Sequence, residues 1–235
     1  MSGLQDRVAL VTGASKGIGA ATALALAKAG AHVVLVARHA ETLEQIEEQI
    51  HAAGGHATIA PLDMAEGDNI ARLSTAIAQR WQKLDILVLN AAMLGTLAPI
   101  AATDIKEMNR VFTLNVIAQQ AMLAAFEPLL RRADAGRVIA LSSSVARLPR
   151  AYWGVYGASK AALENLVTTF GEEMRNISTI RTAIIDPGAT ATDMRARAFP
   201  GEDAATLKSP AVVADALAAL VERGFESTEF VQLPR

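Results

Sequence analysis

A tyrosine and a lysine stand four residues apart in this chain, Tyr156 and Lys160 in the run Tyr-Gly-Ala-Ser-Lys, with Ser143 thirteen positions before the tyrosine. On a helix that spacing puts both side chains on one face, close enough for the lysine ammonium to favour a phenolate. A tyrosine so placed can trade a proton near neutral pH, whereas an unassisted phenol, with a pKa of about 10, stays protonated. The pair points to acid–base catalysis. The same pair also occurs on ordinary amphipathic surface, and what separates the two readings is a glycine pattern near the start of the chain.

Thr12-Gly-Ala-Ser-Lys-Gly-Ile-Gly19 directly follows an apolar β-type run, Val8–Thr12, and opens a helical segment expected over 17–30. Gly13, Gly17 and Gly19 permit a tight turn and let backbone N–H groups approach a pyrophosphate, and the helix N-terminus adds positive potential. Their spacing is wider than the usual dinucleotide fingerprint, so the strand–turn–helix context carries the reading. Further elements must position these groups. The pattern predicts strands at 32–37, 57–61, 85–89, 137–141, 179–185 and 229–233. Between them it predicts helices over 41–53, 67–83, 104–132, the segment carrying Tyr156 and Lys160, and 209–223. Strands that read as continuous apolar runs are buried on both faces, and right-handed crossovers turn this list into an α/β fold: a single-domain Rossmann-type doubly wound parallel β-sheet with helices on both faces, spanning residues 1–235. Ligands of such a sheet sit at the carboxyl ends of its strands.

With these motifs in order, the chain resembles the short-chain dehydrogenase/reductase family from about Arg7 onward. Thr12–Gly19 resembles the family's cofactor loop, Asn90-Ala91-Ala92 its Asn-Ala-Gly segment, and Asn115, Ser143, Tyr156 and Lys160 its catalytic tetrad. Asp186-Pro187-Gly188 resembles the segment beside the nicotinamide. The resemblance implies that hydride from nicotinamide C4 attacks a carbonyl carbon while Tyr156 gives its proton to the oxygen. Lys160 then bonds the nicotinamide ribose and lowers the tyrosine's pKa, and Ser143 donates to the substrate oxygen. Ser142 and Ser144 read as turn hydroxyls. Asn115 holds a water that relays protons from Lys160, or is simply a satisfied polar group within a helix.

The resemblance implies cofactor contacts from Gly13, Ser15, Lys16, Gly17, Ile18, Gly19, Asn90, Ala91, Tyr156, Lys160, Pro187, Gly188 and Thr190, with Asp63 toward the adenine. At the end of the second strand, where an acidic residue would bond the ribose hydroxyls and repel a phosphate, the chain has Ala37-Arg38. Arg38 and Lys16 offer two cations to a 2′-phosphate, which favours NADP(H) over NAD(H). One departure stands out: Ala92 replaces the family's glycine, and Met93 adds bulk at the pocket rim.

By family position the substrate pocket draws on 93–97, 144–153 and the segment after Gly188 with Met194 and Phe199. Tyr152, Trp153, Arg147 and Arg150 suit a hydrophobic carbonyl with a nearby anion, or are loop packing and solvated charge. The stretch 189–206 has little regular apolar period and reads as a lid. Arg131, Arg132 and Arg175 offer the alternative of a 3-oxoacyl thioester reductase that docks an acidic carrier protein. A second alternative is a non-catalytic sensor of the NADP redox state.

The bulk composition narrows the partners. A net charge of −2 gives no basic footprint for nucleic acid and no polybasic patch for a membrane. There is no cysteine, which removes dithiol redox chemistry, and the four histidines share no ligand spacing, so no metal site is expected. Absence of a signal-like start and of any apolar run of spanning length points to a cytoplasmic protein acting on a small-molecule carbonyl or alcohol. Helices around 118–130 and 161–174 are apolar on more than one stripe, which resembles the family's dimer faces and predicts a homodimer or homotetramer. The chain's end at Arg235 weakens the tetramer expectation.

Overall fold

The apolar runs become strands because β-branched and aliphatic side chains alternate between two covered faces. β1 (Val8–Thr12), β2 (His32–Ala37), β3 (His56–Pro61), β4 (Ile86–Leu89), β5 (Arg137–Leu141), β6 (Arg181–Asp186) and β7 (Glu229–Gln232) form one sheet in the order β3-β2-β1-β4-β5-β6-β7. Every pairing in it is parallel, with Val8 opposite His32 and Ile86 opposite Arg137. These coordinates are a computed structural model, which describes residues 3–226 and 228–234.

Helices cover both faces. Ala9, Val11, Val33 and Leu35 point to a core closed by α1 (Gly17–Lys28), α2 (Ala40–Ala52) and α8 (Pro210–Arg223). Val8, Leu10, Val34 and Val36 point to the opposite core under α3 (Asn69–Trp81), α5 (Ala118–Leu130) and α6 (Gly154–Met174). α4 (Ile105–Phe112) precedes α5, and its first turn is held by Asp104, whose side chain accepts from the Lys106 N–H at 3.0 Å. A short α7 (Asp193–Ala198) lies in the expected lid. Thr192 caps it by accepting from the Arg195 N–H at 3.2 Å.

Two elements differ from expectation. The single helix expected over 104–132 is divided by a π-helical turn, Thr113–Ile117, which joins α4 to α5 and centres on Asn115. The strand expected from Thr179 begins at Arg181, because the Ser178 and Thr179 hydroxyls are used in the preceding turn, Ser178 Oγ accepting from the Ile180 N–H at 3.1 Å and Thr179 Oγ1 donating to Ala133 O at 3.2 Å. The expectation drawn from Arg235 lies outside the described residues.

Candidate active site

The sheet order reverses between β1 and β4, and the residues leaving those strands open the crevice there. Thr12, fully buried, holds the two strand ends together: its Oγ1 donates to Val88 O at 3.0 Å and accepts the N–H groups of Asn90 (2.9 Å) and Ala91 (3.0 Å). The Asn90 side chain returns the contact, donating to Thr12 O at 2.8 Å. At Gly13 φ is +66°, and a β-carbon would come within 2.8 Å of Asn90 Nδ2. A β-carbon at Gly19 would overlap the Gly13 carbonyl oxygen. The turn therefore closes on its own backbone and leads into α1, whose first N–H groups have no helical acceptor, a donor set that fits a pyrophosphate. Ser15 and Gly17 lie half-buried on this turn, and Ile18 packs against the first core.

Arg38 is exposed just beyond β2, with no hydrogen bond or ion pair to a described residue. Lys16 is not free in the same way: its Nζ donates to Asp193 Oδ2 at 2.6 Å, which holds the Asp193 carboxyl below the usual carboxylate range and ties the glycine turn to α7. Asp63, after β3, accepts the Ala65 N–H at 2.9 Å, a turn role that leaves its second oxygen available. The backbone carries Ala92 without strain, since its φ is not among the positive values found at Asp6, Gln82 and Tyr152.

The residues expected to form the tetrad come from three places, the turn Thr113–Ile117, the end of β5 and α6. Asn115 is fully buried. Its Oδ1 accepts the Met93 N–H at 2.8 Å, while its Nδ2 donates to Met93 O at 2.9 Å and Ser159 Oγ at 3.0 Å. Ser143, in extended conformation, leaves β5, and the Tyr156 and Lys160 side chains share the buried face of α6. Lys160 Nζ donates to Leu141 O at 2.7 Å and lies 5.8 Å from the Tyr156 ring centre.

Burial lowers the Lys160 ammonium to about 8, against an opposing pull from Glu164. Burial pushes the Tyr156 phenol up, and the charge of Asp186 pushes it further. The lowering expected from Lys160 does not set the direction among the protein's own groups, where burial of the phenol and the charge of Asp186 raise it. Asp186 itself is buried and accepts the Gly188 N–H at 3.0 Å. Gly188 has φ +62°, and Thr190 Oγ1 donates to Pro187 O at 3.2 Å, so the segment after β6 is folded tightly beside the site.

Leu94, Val145 and Tyr156 form a small apolar cluster, with Leu97, Trp153, Met194 and Ala198 packed against it. The Trp153 ring stands edge-on to Tyr156, centres 6.0 Å apart, and is 5.6 Å from Phe199 of the lid segment. That segment is more structured than its sequence suggests. Besides α7 it holds a two-armed ion pair, Arg195 Nε and Nη2 each 2.5 Å from a Glu202 oxygen.

Ser142, read as a turn hydroxyl, is instead buried and donates to Glu164 Oε1 at 2.5 Å. Glu164 was not singled out at all, although it is buried one turn beyond Lys160 and its Oε2 accepts from Arg147 Nε at 2.7 Å. The i, i+4 step from Lys160 was the available signal. Arg131 and Arg175, which the thioester alternative offers to a carrier protein, are paired with Glu127 and Glu172, and Arg132 donates to Gln82 O at 3.3 Å. Arg175 follows α6 at the end opposite Tyr156, about 28 Å along the helix at 1.5 Å per residue. Among the described residues no cluster of side chains suits a metal ion, and no helix is long and apolar enough to cross a membrane.

A family model described as short chain dehydrogenase matches residues 7–203. The oxidoreductase YciK of Escherichia coli strain K12 is 39% identical over 211 residues, covering 88% of this chain and 83% of that protein. A solved short chain dehydrogenase from Pseudomonas syringae superposes with a TM-score of 0.94 at 34% identity, covering 98% of this chain and 96% of that one. Another, from Shigella flexneri 2a strain 301 and complexed with NADP, gives a TM-score of 0.92 at 35% identity over 98% of each chain.

Proposed function

This chain belongs to the short-chain dehydrogenase family and is an oxidoreductase of that family, and on that premise we propose that it interconverts a small carbonyl compound and its secondary alcohol with NADP(H) in preference to NAD(H). When bound, the nicotinamide supplies or accepts the hydride. The glycine turn from Gly13 to Gly19 would hold the pyrophosphate. Arg38 would take the 2′-phosphate, with Lys16 joining it on leaving Asp193, and Asp63 would meet the adenine. Asn90, Ala91, Pro187, Gly188 and Thr190 would border the nicotinamide half.

In the reductive direction Tyr156 gives its phenolic proton to the carbonyl oxygen as that oxygen gains charge, and Ser143 donates a second hydrogen bond to it. The Lys160 ammonium, one helical turn away, stabilises the phenolate left behind. Asn115 fixes Met93 and the rim it carries. The observation that most supports this reading is a phenol held neutral by burial, beside a buried ammonium, at an apolar cleft. A neutral phenol is the form an acid must have. The thioester alternative gains nothing from Arg131, Arg132 and Arg175, and a redox sensor without chemistry has no need of a proton relay.

The test is a nicotinamide fluorescence titration beside a carbonyl reduction assay, on the wild type and Tyr156→Phe. The variant is expected to bind NADPH as the wild type does and to lose turnover by at least about 100-fold. NADH is expected to bind roughly 10- to 100-fold more weakly than NADPH, the effect of one charge-assisted contact. Turnover surviving in Tyr156→Phe removes the tyrosine as the acid, and equal affinity for the two cofactors removes the phosphate role of Arg38.

A further inference from the structure

Most cations around the mouth of the cleft are already engaged. Arg147 donates to Glu164 and lies 3.3 Å over the Phe230 ring, Arg195 is gripped by Glu202 and lies 3.7 Å over Phe199, and Lys16 is paired with Asp193. Arg150 differs from all three. No hydrogen bond or ion pair ties its guanidinium to a described residue. It stands 5.8 Å from the ring centre of Trp153 and 5.8 Å from that of Phe199, within the range where aromatic faces attract a cation.

Trp153 is also the ring that stands against Tyr156. The indole therefore neighbours both the phenol and the guanidinium, and it packs against the apolar cluster that Leu94, Leu97 and Met194 share with Tyr156. A planar guanidinium presents parallel donors that match a carboxylate, and the two rings attract it to this side of the cleft.

We propose that this site takes carbonyl compounds that carry a carboxylate on the same small molecule, with Arg150 holding the carboxylate while the apolar body lies against Trp153 and Phe199. The inference rests on the reductase reading and sharpens its substrate class. Two groups that share one aromatic neighbour fit an anion on the same small molecule rather than one at the end of a long thioester arm. This arrangement also divides the two arginines that the sequence offers for an anion, since Arg147 is committed to Glu164 and Phe230.

The experiment compares NADPH-dependent reduction of 4-acetylbenzoate and 4-acetylbenzamide, which share shape and differ in charge, in the wild type, Arg150→Ala and Arg150→Lys, with calorimetric titration of each protein by 4-acetylbenzoate. The wild type is expected to favour the acid by about 10-fold in kcat/KM, mostly through KM. Arg150→Ala should bring the ratio near one, and Arg150→Lys should restore part of it. Equal use of acid and amide by the wild type, or a ratio unmoved by Arg150→Ala, overturns the carboxylate site and leaves the reductase standing. Binding of the acid that Arg150→Ala abolishes, with neither compound reduced, keeps the site and removes the reductase. No binding and no turnover removes both.

Discussion

Glu164 links the helix that carries Lys160 to the residues leaving β5. Its two carboxylate oxygens are divided between the Ser142 hydroxyl and the Arg147 guanidinium, and its charge opposes the burial that lowers Lys160. A lysine lowered to about 8 is a cation below that pH and neutral above it, so a reduction that needs the cation to stabilise the phenolate falls as pH rises through about 8. Asp186 acts on Tyr156 from β6, so the alkaline limb of the profile belongs to Lys160 and its partner on α6 rather than to the phenol, which titrates far above. In Glu164→Gln the opposing charge is gone while the Ser142 bond can persist, and the limb should move to lower pH in kcat/KM for the carbonyl at saturating NADPH, which reports groups of the enzyme–NADPH complex that meets the carbonyl. A uniform loss at every pH, with the limb unmoved, would reduce Glu164 to packing. Tyr156, Lys160 and Ser143 were legible because their types and spacing are unusual. Ser142 and Glu164 were not, because a serine beside a strand end and a glutamate on a helix have many uses, and only the approach of β5 to α6 selects this one.

The π-helical turn shows why helix existence can be read from sequence while helix regularity cannot. Apolar periodicity over 104–132 announces helix, but the widened turn at Thr113–Ile117 is held by tertiary partners, the Met93 backbone and Ser159, which no local pattern displays. Such a turn swings the Asn115 side chain toward the strand-four loop, and π-turns of this kind collect at functional sites. Asn115→Ala leaves the Met93 N–H and C=O without partners in a half-buried loop, at about 1–3 kcal/mol for each orphaned group. For a chain of this size each kcal/mol corresponds to about 2–4 °C in Tm. The melting temperature should drop accordingly, and faster hydrogen exchange at the Met93 amide should accompany the loss of activity. Asn115→Asp should restore protection of the Met93 amide, since a carboxylate still accepts that N–H, but not the melting temperature, since it cannot donate to Met93 O or Ser159 Oγ. An unchanged Met93 exchange rate in Asn115→Ala would mean that the loop is held by something other than Asn115. The lid segment failed in the opposite direction: α7 spans six residues, too short for periodicity to announce, and it is fixed by the Thr192 cap and by ion pairs reaching to Lys16 and Glu202.

At the scale of the whole molecule the two cores share their strands, since alternate residues of β1 and β2 face opposite helix layers, and neither layer can leave without exposing the sheet that supports the other. This is the part of the architecture most legible in advance, because continuous apolar strands separated by helical crossovers admit few arrangements. What one chain satisfies internally also shows what it leaves over. α5 turns Met122, Leu123, Phe126, Leu129 and Leu130 inward to the sheet, yet Ile117 at its start is 61% exposed, with Phe112, Val116 and Leu166 only half-buried nearby in sequence or on α6. We propose that the outer sides of α5 and α6 meet their copies in a homodimer. A two-fold contact places Ile117 near a symmetric patch, so a charge there is repeated across the axis and costs twice. Sedimentation equilibrium at micromolar concentration should give a mass of two chains or a multiple of two for the wild type and a shift toward one for Ile117→Lys, with the far-ultraviolet circular dichroism of the variant unchanged. A wild type that sediments as a monomer, or an Ile117→Lys variant that folds and assembles as the wild type does, would exclude this face as the interface.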